Sequence, residues 1–302
     1  MAQYLIIAGT HKAGTTALYD MLSNHPMICK SNYKETRFFL DENYTINFRS
    51  VEDYRLGYHL YYKLFSCDLN DGKVYLEATP DYLYSKGTPS RIKQFACEFH
   101  HDVKLVFILR NPVERFVSWF YFGKEVGNIP ANMKFSEYYI TNTSDNSDNN
   151  AYTAALKKGL YSIYLREFIE LFGIENICVI PYSKFKTEPL KVVNEVLHLF
   201  KLDPIGENEF VLKKSMETYQ VKSRLIFNVL RSLRRIKIYL NNPRINKIIE
   251  KRFLKFFKKI EKSNSAPHDK SEIDEQTLNK VKQFYSAERE SLSRLLSKSF
   301  DW

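Results

Sequence analysis

Three groups of residues in this 302-residue chain have the types and spacing to grip an anion and move a proton. The first is Gly9-Thr10-His11-Lys12-Ala13-Gly14-Thr15-Thr16, which follows the apolar run Tyr4–Ala8 and leads into Ala17-Leu18. A buried strand that breaks into a Gly/Thr turn and then a helix offers the unsatisfied backbone amides of the helix start to a phosphate-like anion. Lys12 supplies charge, and Thr15 and Thr16 supply hydroxyls. In the nucleoside-triphosphate loop, G-x-x-x-x-G-K-[ST], the lysine follows the second glycine and the next hydroxyl holds magnesium. Here Thr15 takes that place and Lys12 precedes Gly14 by two residues, which weakens a metal-and-triphosphate reading.

The second group is Arg110 and Ser118. Lys104–Leu109 is a continuous apolar run of the kind buried on both faces of a parallel sheet, and Arg110-Asn111-Pro112 closes it. Pro112 suits the first turn of a new helix, with Asn111 as its cap. Arg110 therefore stands at the carboxyl end of a strand, where open α/β sheets bind ligands, and can offer parallel donors to phosphate. The third group is acidic: Glu35 in Lys34-Glu35-Thr36-Arg37-Phe38-Phe39, then Glu77 and Asp81 in Leu76-Glu77-Ala78-Thr79-Pro80-Asp81.

Taken together, these segments resemble the sulfotransferases that use 3'-phosphoadenosine 5'-phosphosulfate (PAPS), in particular the carbohydrate and heparan sulfate branch and its bacterial-type members. The resemblance runs from about Leu5 to Trp302. It implies that Lys12, Ala13, Gly14, Thr15, Thr16 and Ala17 form the 5'-phosphosulfate loop and that Arg110 and Ser118 hold the 3'-phosphate. Tyr182, in Pro181-Tyr182-Ser183-Lys184-Phe185, is placed near the adenine. Ser215, Lys222 and Arg224 fall where relatives close a loop over the nucleotide. The E-x-x-F-F segment makes Glu35 the general base, with Lys12 stabilising charge on the leaving phosphate oxygen. Phe38 and Phe39 are expected to exclude water and raise the Glu35 pKa. Arg37, Glu77 and Asp81 are candidates for the acceptor cleft, with Asp81 the runner-up base. Ala78 departs from the pattern, standing where heparan enzymes commonly carry a catalytic lysine.

The implied reaction is sulfuryl transfer from PAPS to a hydroxyl or amine of a saccharide or glycolipid, releasing adenosine 3',5'-bisphosphate without a metal. A P-loop kinase or hydrolase, and a non-catalytic nucleotide-binding module, are the alternatives. The fold expected is a single α/β domain over 1–302: a P-loop-like, three-layer arrangement with a central parallel sheet between helices and a helical C-terminal part. No Gly/Pro-rich linker divides the chain.

Charge is concentrated. Residues 231–262 carry 12 Lys/Arg against 2 Asp/Glu, which equals the net charge of +10 for the whole chain. Ile245, Ile249, Phe253, Phe256 and Ile260 recur there at helical spacing. This basic amphipathic segment suits either a solvated helix face or a platform for an anionic membrane surface or polyanion. No nucleic-acid module accompanies it. Residues 141–150 are a polar Thr/Asn/Ser/Asp loop, read as a lid or a tolerated insertion. The 4 cysteines form no C-x-x-C pair, so reduced thiols are expected. With no apolar leader evident, the expectation is a cytoplasmic enzyme, peripheral at most to a membrane.

Overall fold

The computed structural model describes residues 1–44, 53–68, 71–144, 154–207, 220–221, 265–266 and 270–302. Ser215, Lys222, Arg224, the basic segment 231–262 and most of the 141–150 loop lie outside the described residues.

Five strands form one parallel sheet: β1 (Gln3–Gly9), β2 (Ile28–Lys30), β3 (Val74–Ala78), β4 (Asp102–Leu109) and β5 (Ile177–Pro181), in the order β2-β3-β1-β4-β5. The central strand β1 is apolar on both faces because both are covered, as parallel sheets require. Tyr4, Ile6 and Ala8 enter one core and Leu5 and Ile7 the other, all without exposed surface. Each such aliphatic side chain contributes about 1.5–3 kcal/mol by leaving water.

Against the Leu5/Ile7 face pack α1 (Thr15–Leu22) and, after β5, α6 (Tyr182–Thr187) and α7 (Pro189–His198), through Leu18, Leu22, Val192 and Val196. The Tyr4/Ile6 face is covered by α2 (Thr88–Glu98), α5 (Tyr161–Phe172) and the C-terminal α9 (Glu288–Leu296). A third cluster joins α3 (Pro112–Val126), α4 (Phe135–Thr143) and α8 (Glu275–Phe284) through Phe116, Phe120, Tyr138 and Val281. The expected three-layer α/β arrangement with a helical C-terminal part is thus present.

Because the strands are parallel, all of them end on one edge of the sheet, and the loops that carry Lys12, Glu35, Asp81, Arg110 and Tyr182 leave from that edge. The start of α3 forms as its sequence dictates. Asn111 caps it, accepting from the Val113 amide at 2.9 Å and the Glu114 amide at 3.3 Å, with Pro112 in the first turn. Gly127 closes the helix in the left-handed region, φ 78°.

The reduced-thiol expectation needs correction. Cys29, on edge strand β2, is bonded to Cys67, whereas Cys97 and Cys178 are free. Spacing could not reveal this pair, because the two residues meet only after the 3-10 turn Tyr58–Leu64 folds back beside β2.

The cap yields a direct test. Asn111→Ala should cost about 1 kcal/mol of stability in urea denaturation, while Asn111→Ser should restore most of it. An unchanged midpoint for the alanine variant would show that α3 does not depend on this cap.

Candidate functional site

At the end of β1 the chain turns through Gly9–Gly14 and enters α1. Gly14 is the residue before the helix, with φ 89°, a value that favours glycine. A Cβ there would press on Phe185 at 3.1 Å and Tyr182 at 3.2 Å, so glycine is needed for space as well. Ala13, Thr15 and Ala17 point into the protein and Thr16 is exposed. The loop therefore presents its backbone, the Thr16 hydroxyl and Lys12. Burial lowers the Lys12 pKa to about 8, with Arg110 lowering it further and Glu125 opposing. Its ammonium lies 4.3 Å from the centre of the Phe122 ring, on α3.

Arg110, at the end of β4, reaches this loop. Its Nη1 donates to the Lys12 carbonyl at 3.3 Å, its Nε to Glu114 Oε2 at 3.0 Å, and its guanidinium carbon lies 5.2 Å over the Tyr182 ring. The Arg110 carbonyl is tied to Tyr161 Oη at 2.8 Å, which fixes the backbone from the opposite layer. Ser118 is buried further along α3. Lys12, Gly14, Arg110 and Tyr182 are thus drawn together from segments far apart in sequence.

A second wall comes from the loops after β2 and β3. Glu35 and Arg37 have φ of 63° and 59°, and Lys12 has 64°, a left-handed conformation that non-glycine residues seldom adopt. Such strain needs anchors. The Glu35 amide donates to the Ala78 carbonyl at 2.9 Å and the Arg37 amide to Thr79 Oγ1 at 3.2 Å, while the Thr79 amide donates to Ile7 on β1 at 3.1 Å. The Glu35 carboxylate is then held by Lys34 and Arg37, each at 2.9 Å.

The expectation for Phe38 and Phe39 is overturned. Both rings are fully buried among Tyr61, Phe95 and each other, beneath the site and not around the carboxylate. Burial of Glu35 would raise its pKa, but Lys34, His11 and Arg37 outweigh it and the pKa is lowered. Of the three carboxyls Glu35, Glu77 and Asp81, the one whose pKa is raised is Glu77, to about 7, by burial, with hydrogen bonds from Thr79 and Thr36 opposing. Glu77 has no exposed surface and accepts from Thr36 at 2.9 Å and from Thr79, so it links the two acidic loops from below. Asp81 is also buried, but His11, Lys158 and Tyr44 keep it ionised and its pKa low against the opposing effect of burial.

A family model for the sulfotransferase domain matches residues 3–294. The chain belongs to the sulfotransferase family. Heparan sulfate glucosamine 3-O-sulfotransferase 5 of Mus musculus is 27% identical to it over 227 residues, which are 74% of this chain and 60% of that protein. The bifunctional heparan sulfate N-deacetylase/N-sulfotransferase 1 of Mus musculus is 28% identical over 196 residues, 64% of this chain and 21% of that protein. The chain thus spans less than two thirds of the length of these relatives. A sulfotransferase from Alicyclobacillus acidocaldarius shares the fold, with a TM-score of 0.58 at 23% identity over 77% of this chain and 91% of that one.

Two residues of this sulfotransferase's pocket escaped the reading of its sequence. Tyr44 and Lys158 complete the surroundings of Asp81, yet they stand 114 positions apart, and neither belongs to a motif. No local signal could have paired them.

Glu77 supplies a stability test with a definite sign. Its folded pKa of about 7 exceeds the ordinary 4.5, so ionising it costs the folded state increasingly as pH rises between those values. Glu77→Gln should therefore gain stability relative to the parent by about 1–3 kcal/mol on going from pH 5 to pH 8 in urea titrations. A difference independent of pH would remove the buried-acid assignment.

Proposed function

We propose that this sulfotransferase transfers a sulfuryl group from PAPS to a hydroxyl or amine of a saccharide acceptor. The observation that carries the reading is the meeting of Arg110 with the Lys12 loop, which gives one pocket two separate cationic grips beside an aromatic ring. A nucleotide phosphorylated at both its 3' and 5' positions fits that demand. A triphosphate, whose charge is all at one end, does not.

In this reading the backbone of Gly14–Thr16 and the Thr16 hydroxyl hold the 5' end, and Arg110 with Ser118 holds the 3'-phosphate. Lys12 stabilises the oxygen that departs with the 5'-phosphate. Glu35, ionised because of its cationic neighbours, takes the proton as the acceptor atom attacks sulfur. Arg37 orients that carboxylate at 2.9 Å. A saccharide is the favoured acceptor class because the matching relatives are, by name, heparan sulfate sulfotransferases.

Paired calorimetric titrations test the donor. Adenosine 3',5'-bisphosphate should bind more tightly than ATP with magnesium, and Arg110→Ala should weaken it by about 10-fold or more, the loss of a hydrogen bond between charged groups. Tighter ATP binding would favour a kinase or hydrolase, and an unchanged dissociation constant would reject the role of Arg110. For the chemistry, labelled-sulfate transfer from PAPS to heparan sulfate should fall by about 100-fold to 10,000-fold in Glu35→Gln while nucleotide affinity is kept. Undiminished turnover would remove Glu35 as base.

A further inference from the structure

Two consecutive residues of the nucleotide loop rest on rings of a single helix. The His11 ring lies 5.0 Å from that of Trp119, and the Lys12 ammonium lies 4.3 Å from the centre of the Phe122 ring. Trp119 and Phe122 are three positions apart on α3, which puts them on one face of it, a turn from each other, and their own rings stand 5.6 Å apart. The same helix starts directly after Arg110 and Asn111 and carries Ser118. It therefore reaches both grips of the pocket.

Lys12 needs such a seat. Its backbone is left-handed, at φ 64°, and the Arg110 guanidinium that holds its carbonyl at 3.3 Å also repels its ammonium. Burial and Arg110 both disfavour the charged form, while Glu125, three positions beyond Phe122 on α3, favours it. The face of an aromatic ring carries negative charge density, and a cation held over it is attracted. An aliphatic side chain of similar size would cover the lysine stem but give the ammonium no such partner. Phe122 is also a minor member of its core: it is only partly buried at the edge of the third cluster, whereas Phe116 and Phe120 have no exposed surface.

We propose that Phe122 is a positioning residue for sulfuryl transfer, its ring face holding the Lys12 ammonium in place for the departing 5'-phosphate while Trp119 seats the adjoining His11. The proposal rests on the sulfuryl-transfer reading above. As the acceptor atom bonds to sulfur and gives its proton to Glu35, the bond from sulfur to the bridging oxygen breaks and its electron pair stays on the 5'-phosphate. Lys12 can donate to that oxygen only while protonated and aimed at it. Phe122 takes part in no bond change; it restrains the ammonium and favours its charged form before the donor arrives.

Phe122→Leu, which keeps apolar bulk and removes the ring face, is the informative variant. In the nucleotide-free full chain, pH-dependent acylation of the Lys12 amine, read by peptide mass spectrometry, should give an apparent pKa of about 8 in the parent and a lower one in Phe122→Leu, because losing the ring favours the neutral amine. With PAPS and heparan sulfate, the variant's kcat should fall by about 3-fold to 30-fold and its alkaline limb should move to lower pH. Its dissociation constant for adenosine 3',5'-bisphosphate should stay within about threefold of the parent's. Phe122→Tyr, which restores a ring face, should recover most of the rate. A side chain that merely packs would not move the Lys12 titration.

An unchanged Lys12 titration in Phe122→Leu overturns the proposal, as does a kcat within about twofold of the parent's. So does an equal loss in the leucine and tyrosine variants, since the ring face would then not be the cause. A leucine variant that no longer binds the nucleotide would show that the ring maintains the pocket and not the lysine, and would overturn it as well. A parent protein that binds the nucleotide but transfers sulfate to neither heparan sulfate nor water would instead defeat the sulfuryl-transfer reading, which the acylation experiment on the nucleotide-free protein does not touch.

Discussion

The site depends on one contact, the hydrogen bond from the Arg110 guanidinium to the Lys12 carbonyl at 3.3 Å. It joins the loops that follow β1 and β4, and it exists because those strands are neighbours in a parallel sheet, with Ile7 beside Val106 and Gly9 beside Phe107. Parallel neighbours end on the same edge, so two anion-gripping loops 98 residues apart in sequence emerge side by side. The contact also imposes electrostatic strain. Arg110 and burial both disfavour charge on Lys12, and an anionic ligand between them would relieve that. A pocket that holds two cations close together is poised for a polyanion.

The opposite wall is organised by the same edge. β3 separates β2 from β1, and its terminal loop anchors the strained segment that carries Glu35 through Ala78 and Thr79. Glu77 bonds both loops beneath the surface. Burial and charge therefore divide the three carboxyls. Glu77 is pushed up to about 7 by burial, while Glu35 and Asp81 are lowered by the cations and hydrogen-bond donors around them. Environments that separate the pKa values of neighbouring acids mark out different roles for them.

What could be read from the sequence was whatever has a local cause. The strand, turn and helix around Gly14, the Asn111-Pro112 helix start and the placement of Arg110 at a strand end all follow from neighbouring residues, and the structure contains them. The sequence misled where the cause is distant. Phe38 and Phe39 adjoin Glu35 in sequence, but their rings turn away into the core with Tyr61 and Phe95. Cys29 and Cys67 pair across 38 positions. The Asp81 network draws on Tyr44 and Lys158, which no motif marks. His11 likewise meets Asp81 only through the fold.

The central claim is that the Lys12 loop and Arg110 clasp the two ends of one nucleotide, and a crystal structure of the complex with adenosine 3',5'-bisphosphate tests it most directly. The expected result is a single molecule whose 5'-phosphate lies on the Gly14–Thr16 backbone and whose 3'-phosphate lies within hydrogen-bond reach of Arg110 and Ser118. A nucleotide that engages only one of these grips, or occupies another part of the protein while both stay empty, would contradict it.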